Sequence, residues 1–400
     1  MAAIPPKNLL IVGGGIQGAS VAYWTSKISP ATKITVVEAN DRVAPHASGK
    51  GGGFLARSWG DGSITETLHH ASFDLHEQLA KEWGLKSYRR LPVLSVGAGS
   101  RTFNKKGSFH PAWLDGAGGR VDVMGDSSDT AQVHPREFTE MAISQSGATV
   151  RLNSKVIGVE TVPEEGGGRK VTGVKIEGGE LLECDAMVVA MGPWGPFAET
   201  WFPTINVPME GIKSTSVVWP SREATKSEGV ALFCGEDDRY GTHIEVYPRP
   251  DGTIYCCGVG GSDYIGSDDL KEGRFLTSGC DPNPQRVTAA TQALHQISST
   301  YTNLVPDVTQ ACMRPCPSDA LPIMGGVPGF KNAFINCGHN CWGILWAPAA
   351  GKSMAELITK GEASTCDISG FDVRRFGVNE EETRGGRGRK RGSASVGEQW

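Results

Sequence analysis

The chain has 400 residues, of which 21% are charged and 39% hydrophobic, and a formal net charge of −5. This is enough for two or three packed cores of ordinary globular composition, and the mild acidity gives no basis for a nucleic-acid partner or an anionic membrane surface. No apolar run is long enough to span a bilayer.

In chain order, Asn8-Leu9-Leu10-Ile11-Val12 reads as a buried strand and Gly13-Gly14-Gly15-Ile16-Gln17-Gly18 follows at once. A helical stretch runs from Ile16 to about Ile28, and a second strand, Lys33-Ile34-Thr35-Val36-Val37, ends on Glu38 and Ala39. Strand, glycine turn, helix, strand and acid in this order form a grip for the ADP half of a dinucleotide. Gly13 makes the tight turn, Gly15 lets the backbone approach a pyrophosphate, and Gly18 lets the helix lie close to the strand. The helix start at Ile16 and Gln17 offers N–H groups and a partial positive charge to phosphates. Glu38 can accept hydrogen bonds from a ribose diol, with Ala39 beside it.

Residues 39–62 read as an irregular loop lying against a ligand, with Ser48, Gly49 and Lys50 approaching it. Residues 65–83 are helical in pattern, with Gly84 as the stop, and Pro135 starts another helix. Strands are expected over 149–161 and 170–177, joined as a hairpin, and the backbone of Val156 is expected near adenine. Ala186-Met187-Val188-Val189-Ala190 reads as a strand buried on both faces, cut short at Met191-Gly192-Pro193, with Gly192 against the cofactor.

From Val207 the texture becomes β-rich, with strands at 214–219, 243–247 and 253–258 and a helix over about 284–304. Glu245 and Tyr247, two apart, share one strand face. After Thr309 buried strands and a last helix return. The expected fold is therefore α/β: a Rossmann-like domain from 7–90, 131–206 and 307–365, and an α+β domain with a mostly antiparallel sheet from 91–130 and 207–306. Residues 370–400, with the basic run 384–391, are expected to be a disordered tail that is solvated or binds a protein partner.

The ten cysteines are expected to stay reduced. Cys312 with Cys316, and Cys337 with Cys341, leave open a thiolate metal site or small buried side chains lining a pocket; no metal is expected. Met1 to Lys7 enters the first strand too quickly for a targeting peptide, so the expected location is cytoplasmic, or peripheral on endosomal membranes through a partner.

A second glycine-rich turn separates FAD from NAD. Asn336-Cys337-Gly338-His339-Asn340-Cys341-Trp342-Gly343-Ile344 precedes a helix expected from about Pro348 to Lys360. A helix N-terminus there, with Gly338, His339, Asn340, Gly343 and Ile344, can meet a flavin where its reduced ring carries negative charge.

With Gly13 to Glu38, the stretch Arg314-Pro315-Cys316-Pro317-Ser318-Asp319-Ala320-Leu321-Pro322-Ile323-Met324-Gly325, and the later Gly338-His339, Gly343-Ile344-Leu345, Ala347-Pro348 and Gly351, the chain resembles FAD-dependent oxidoreductases of the D-amino-acid oxidase, glycine oxidase and sarcosine oxidase family. It looks closest to a fungal-type branch carrying Ala47-Ser48-Gly49-Lys50 and Tyr247-Pro248-Arg249-Pro250-Asp251-Gly252. The resemblance implies extended FAD, a small amine or amino-acid substrate, oxygen as oxidant and hydrogen peroxide as product. It implies that Arg314 binds a substrate carboxylate, the other reading being an ion pair with a residue such as Asp319. Cys312 matches the position of a covalent flavin link in part of the family; noncovalent FAD is the expectation. Glu245 and Tyr247 hold a substrate ammonium and hydroxyl, or only decorate the sheet. Trp342 and Trp346 line a pocket for a larger apolar substrate or pack the core. A dehydrogenase with another electron acceptor, and a weakly catalytic flavoprotein with a regulatory or trafficking role, stay open.

Overall fold

The computed structural model describes residues 4–97, 110–116, 121–235, 243–258 and 260–377. Its centre is a six-stranded sheet in the order Ile323–Gly326, Ala333–Cys337, Ala186–Val189, Asn8–Val12, Lys33–Val37, Thr149–Arg151. All neighbours are parallel except the first pair. Parallel strands are covered on both faces, which explains their unbroken apolar runs. Successive side chains alternate between faces: Leu9 and Ile11 join the core under the helices, whereas Leu10 and Val12 join a second core. Helices Ile16–Ile28, Glu66–Trp83, Pro135–Ser146 and Gly343–Lys360 supply the first core. The second is covered by a three-stranded sheet built from Val156–Pro163, Arg169–Ile176 and Leu181–Glu183.

The other large sheet has eight strands. Met209–Trp219 lies near one edge, and Val308–Pro317 pairs antiparallel along it from Met209↔Pro317 to Val218↔Val308. This corrects one expected boundary: residues 308–317, assigned to the nucleotide part, are a strand of this sheet. The pairing is long-range, so no local pattern shows which sheet the strand joins.

Four further differences have physical causes. The single strand expected over 149–161 is broken at Asn153, whose φ is 50°; its first piece enters the central sheet and its second the three-stranded one. Ala47–Lys50 is one helical turn rather than irregular chain. The helix expected to start near Pro348 begins at Gly343, with the proline inside it. Disorder from Gly370 does not hold for 370–377, where Phe371 and Val373 are buried in 3-10 turns and Arg375 pairs with Asp319 at 2.7 Å. Residues 378–400, including the basic run, lie outside the described residues. Among the described residues no helix is long and apolar enough to cross a membrane.

Candidate active site

The carboxyl ends of the parallel strands form one edge, and strand order fixes the sequence of groups along it. Ser154 to Val156 come first, then Glu38, the Gly13 to Gly15 turn, Ala190 to Gly192, and Gly338. Four inter-strand steps of about 4.8 Å make this a track roughly 19 Å long. A cavity of about 680 Å³ follows the track and continues beneath the antiparallel sheet. Ligands of open α/β sheets bind outside the carboxyl ends of the strands.

At the nucleotide end the glycines are tightly constrained. A Cβ on Gly13 would lie 2.4 Å from the Ala190 carbonyl oxygen, and one on Gly18 would lie 2.1 Å from that of Gly13. Gly18 itself is behind the cavity wall, holding helix against strand. The first helix amide, Ile16 N–H, donates to Ser48 Oγ at 2.9 Å, so Ser48 caps the helix start and faces the cavity. Glu38 is buried on the wall. Its Oε2 accepts from Gly14 N–H at 2.9 Å, and its Oε1 accepts from the Asn40 backbone N–H at 3.0 Å and side chain at 2.8 Å, fixing the carboxylate and leaving one acceptor position, on Oε2, for a ligand. Ala39, Gly15, Ile16, Gln17, Val156 and Gly192 also line the cavity.

Gly49 and Lys50 do not. A Cβ on Gly49 would lie 2.0 Å from the Ala44 carbonyl oxygen, and Lys50 Nζ donates to the Ala311 carbonyl at 3.0 Å, tying the loop to the antiparallel sheet. The expected approach of these two residues to the ligand is therefore corrected; Ser48 is the residue of that stretch on the wall.

At the other end, Gly338, His339, Asn340, Gly343 and Ile344 line the cavity. His339 is 1% exposed, and burial pushes its imidazole down to about 3, so the ring is neutral. Its Nε2 and the Asn340 Oδ1 are buried without a partner among the described residues. Orphaned polar atoms on a cavity wall mark where a ligand's polar groups fit. Gln17, from the first glycine turn, donates through Nε2 to the Gly343 carbonyl at 2.8 Å and so joins the two turns.

Arg314 reaches the cavity from the long strand, in register with Ile212. Asp319, the alternative partner, is taken by Arg375, and Arg314 has no ion-pair partner among the described residues. Glu245 and Tyr247 line the same space. Glu245 Oε2 accepts a short hydrogen bond from the Tyr247 hydroxyl and one from Cys257 Sγ at 3.3 Å. Burial, and then the Glu245 carboxylate, raise the Tyr247 phenol well above its ordinary range, so it stays a donor. The four paired cysteines do not gather: among the described residues the one three-ligand group is Asp61, Glu66 and His70 on the surface. Cys312 and Cys341 face the cavity instead, and burial pushes the Cys312 thiol up to about 11.

The family profile described as "FAD dependent oxidoreductase" matches residues 8–357. The chain belongs to the family of FAD-dependent oxidoreductases. A Schizosaccharomyces pombe relative named "Putative oxidoreductase C1F5.03c" is 25% identical, over 92% of this chain and 97% of its own. The glycine oxidase of Pseudomonas putida is 22% identical, over 89% and 95%. Among solved structures, the L-amino acid deaminase of Proteus myxofaciens superposes with a TM-score of 0.72 at 18% identity, covering 94% of this chain and 95% of that one.

The groups present suit the family's FAD. The track is long and extended, a capped helix start and a fixed acid stand at one end, and unpartnered polar atoms and a helix start stand at the other. The oxidoreductase also presents residues that the sequence did not single out. Phe54 stacks on Tyr247 at 5.5 Å, and Trp59 and Phe233 contact Phe54 at 5.4 and 5.5 Å; all line the cavity. Trp342 is on the wall and meets Trp59 at 6.1 Å, whereas Trp346 is 2% exposed and belongs to the core. These rings come from four separate segments, so only an aromatic content above a strand's needs could have hinted at them.

Proposed function

We propose that the chain oxidises the C–N bond of an amino acid or secondary amine, with oxygen as the final electron acceptor. Bound FAD supplies the acceptor for the hydride that leaves the substrate carbon. The imine formed is hydrolysed to a carbonyl compound and ammonia or an amine, and oxygen is reduced to hydrogen peroxide. Arg314 carries this reading, as a cation with no ion-pair partner among the described residues, on the wall of a deep cavity that also holds the glycine-rich turns. A guanidinium pairs with a carboxylate through two parallel bonds and keeps its charge at any working pH. Glu245, braced by Tyr247 and Cys257, would accept a hydrogen bond from the substrate's neutral amine, whose lone pair forms the C=N bond as hydride leaves. The Phe54, Trp59, Phe233 and Trp342 rings would exclude water and favour a bulky apolar side chain. Glu38 would hold the adenosine ribose, Val156 the adenine edge, and Ser48 with the Gly13 to Gly15 turn the diphosphate. His339 is neutral and serves as a hydrogen-bonding group, not a base. Hydride leaves with the C–H electrons, so positioning is the main requirement.

The test is an aerobic screen of the purified flavoprotein with D- and L-amino acids, N-methyl amines and glycated amino acids. One class is expected to bleach the visible flavin band and to yield peroxide in air. Bleaching without peroxide would replace the oxidase by a dehydrogenase, and no bleaching by any amine would refute the reading. We also infer noncovalent FAD: a thiol raised to about 11 is scarcely ionised, and Cys312 is therefore a poor nucleophile. Acid precipitation is expected to leave all the yellow colour in the supernatant; colour retained in the wild-type pellet and lost with Cys312→Ala would assign a link.

A further inference from the structure

Helix Gly343–Lys360 begins on the cavity wall and contains Pro348 one and a half turns in. Proline has no N–H for the carbonyl four residues back, and its ring pushes that carbonyl aside. The carbonyl is that of Ile344. It is not left bare: His76, on helix Glu66–Trp83, places Nε2 at 2.8 Å from it. A carbonyl only accepts, so Nε2 carries the hydrogen. One turn earlier on the same helix, Ser72 donates to the Trp346 carbonyl at 3.0 Å and accepts from Ala349 N–H at 3.1 Å. His76 thus satisfies the carbonyl that the proline leaves without a backbone donor, and Ser72 ties the same helix one turn further on.

His76 is costly as a packing residue. It is 0% exposed, its ring lies 4.7 Å from Phe138, and its Nδ1 is buried without a partner. Leucine would fill such a site without an orphaned polar atom, which ordinarily costs stability. What leucine cannot supply is the bond to Ile344. That residue and Gly343 are the cavity-facing start of the helix, directly after the turn bearing His339 and Asn340.

We propose that His76, assisted by Ser72, is a positioning residue that aims the proline-interrupted helix start at the flavin end of the cofactor. Through it the protein sets FAD affinity and the flavin's reduction potential. This rests on the reading that the 338–344 turn holds the flavin end. Loss of the bond lets the first turn swing away, and a helix start that points elsewhere stabilises negative charge on the reduced ring less well.

The experiment is a double-mutant cycle on the full-length holoenzyme, with FAD dissociation constant, midpoint potential and thermal midpoint as readouts. His76→Leu is expected to weaken FAD binding by about tenfold, the loss of one buried hydrogen bond, and to lower the potential. His76→Gln, which can still donate, is expected to recover most of both. Ser72→Ala should move them in the same direction by less. Pro348→Ala restores the missing backbone N–H, so in that background His76→Leu should change FAD affinity by less than about threefold. Equal effects of His76→Leu in both backgrounds, or a lower thermal midpoint with unchanged affinity and potential, would overturn the proposal. Gly338→Val tests the underlying reading separately. Its Cβ would lie 2.6 Å from Pro317 Cγ at a φ of 74°, so it disturbs the turn itself. Unchanged FAD binding in that variant would remove the flavin from the turn, whatever His76 does.

Discussion

Arg314→Leu is expected to raise KM for a carboxylated substrate by about a hundredfold, corresponding to roughly 3 kcal/mol for a lost charge-assisted pair. Bound flavin should remain. The side chain stands on the strand Val308–Pro317, whose register against Met209–Trp219 is held by backbone pairing on both sides of it. Removing the guanidinium therefore leaves the strand in place. The competing view makes Arg314 a structural ion-pair partner, but Asp319 is already held by Arg375 at 2.7 and 3.2 Å. Steady-state kinetics with substrates that bear or lack a carboxylate decide the matter. A carboxylate-independent loss of rate, or a colourless variant, would remove Arg314 from substrate binding. Arg314→Lys should recover only part of the affinity, because an ammonium keeps the charge but not the two-pronged geometry.

A second large effect is expected at the opposite end of the track. Gly18→Val should give a colourless and poorly folded protein. The added Cβ would lie 2.1 Å from the Gly13 carbonyl oxygen and 3.2 Å from Ile11 Cγ2. Neither neighbour can yield cheaply, since one is the turn backbone and the other a core strand. Helix Ile16–Ile28 must lift from the strand, which opens the core and misdirects the Gly13 to Gly15 turn. Overpacking of this kind costs about 1–3 kcal/mol or more. Gly266→Ala is the control: nothing lies within 4 Å of its added Cβ, its φ of −67° suits any residue, and it is not on the cavity wall. Flavin absorbance per protein and thermal unfolding should separate the two variants sharply. Equal flavin content in both would show that the close helix–strand approach is dispensable.

Much of the cofactor grip was legible because it is local. Gly13, Gly15, Gly18 and Glu38 lie within one strand–turn–helix–strand unit; Gly18 and Glu38 are constrained by neighbours in that unit, whereas Gly13 and Gly15 meet Ala190 and Ser48 from outside it. The second turn at 338–344 was legible for the same reason. The start of its helix was not. Pro348 reads locally as a first helical residue, and the partner that permits it inside the helix, His76, is more than 260 positions away. Lys50 was misplaced on similar grounds: a lysine in a glycine-rich loop suits a phosphate, but its acceptor is the Ala311 carbonyl on a distant strand. The stretch 370–400 as a whole is poor in apolar side chains, so composition read 370–377 as tail with the rest. Phe371 and Val373 are enough to anchor them, because the protein offers each a buried place.

From the chain's residues alone came the dinucleotide grip, its FAD character and the identity of Arg314 as a cation of interest. These depend on spacing within short segments, where geometry follows directly from the backbone repeat. Folding decided the far end of the cavity: that Arg375 takes Asp319 and leaves Arg314 without an ion-pair partner among the described residues, that Glu245 is braced by Tyr247 and Cys257, and that rings from four segments meet around them. Each of these is a competition among partners far apart in sequence. Its outcome is set by sheet register and core packing, which no short stretch of residues encodes.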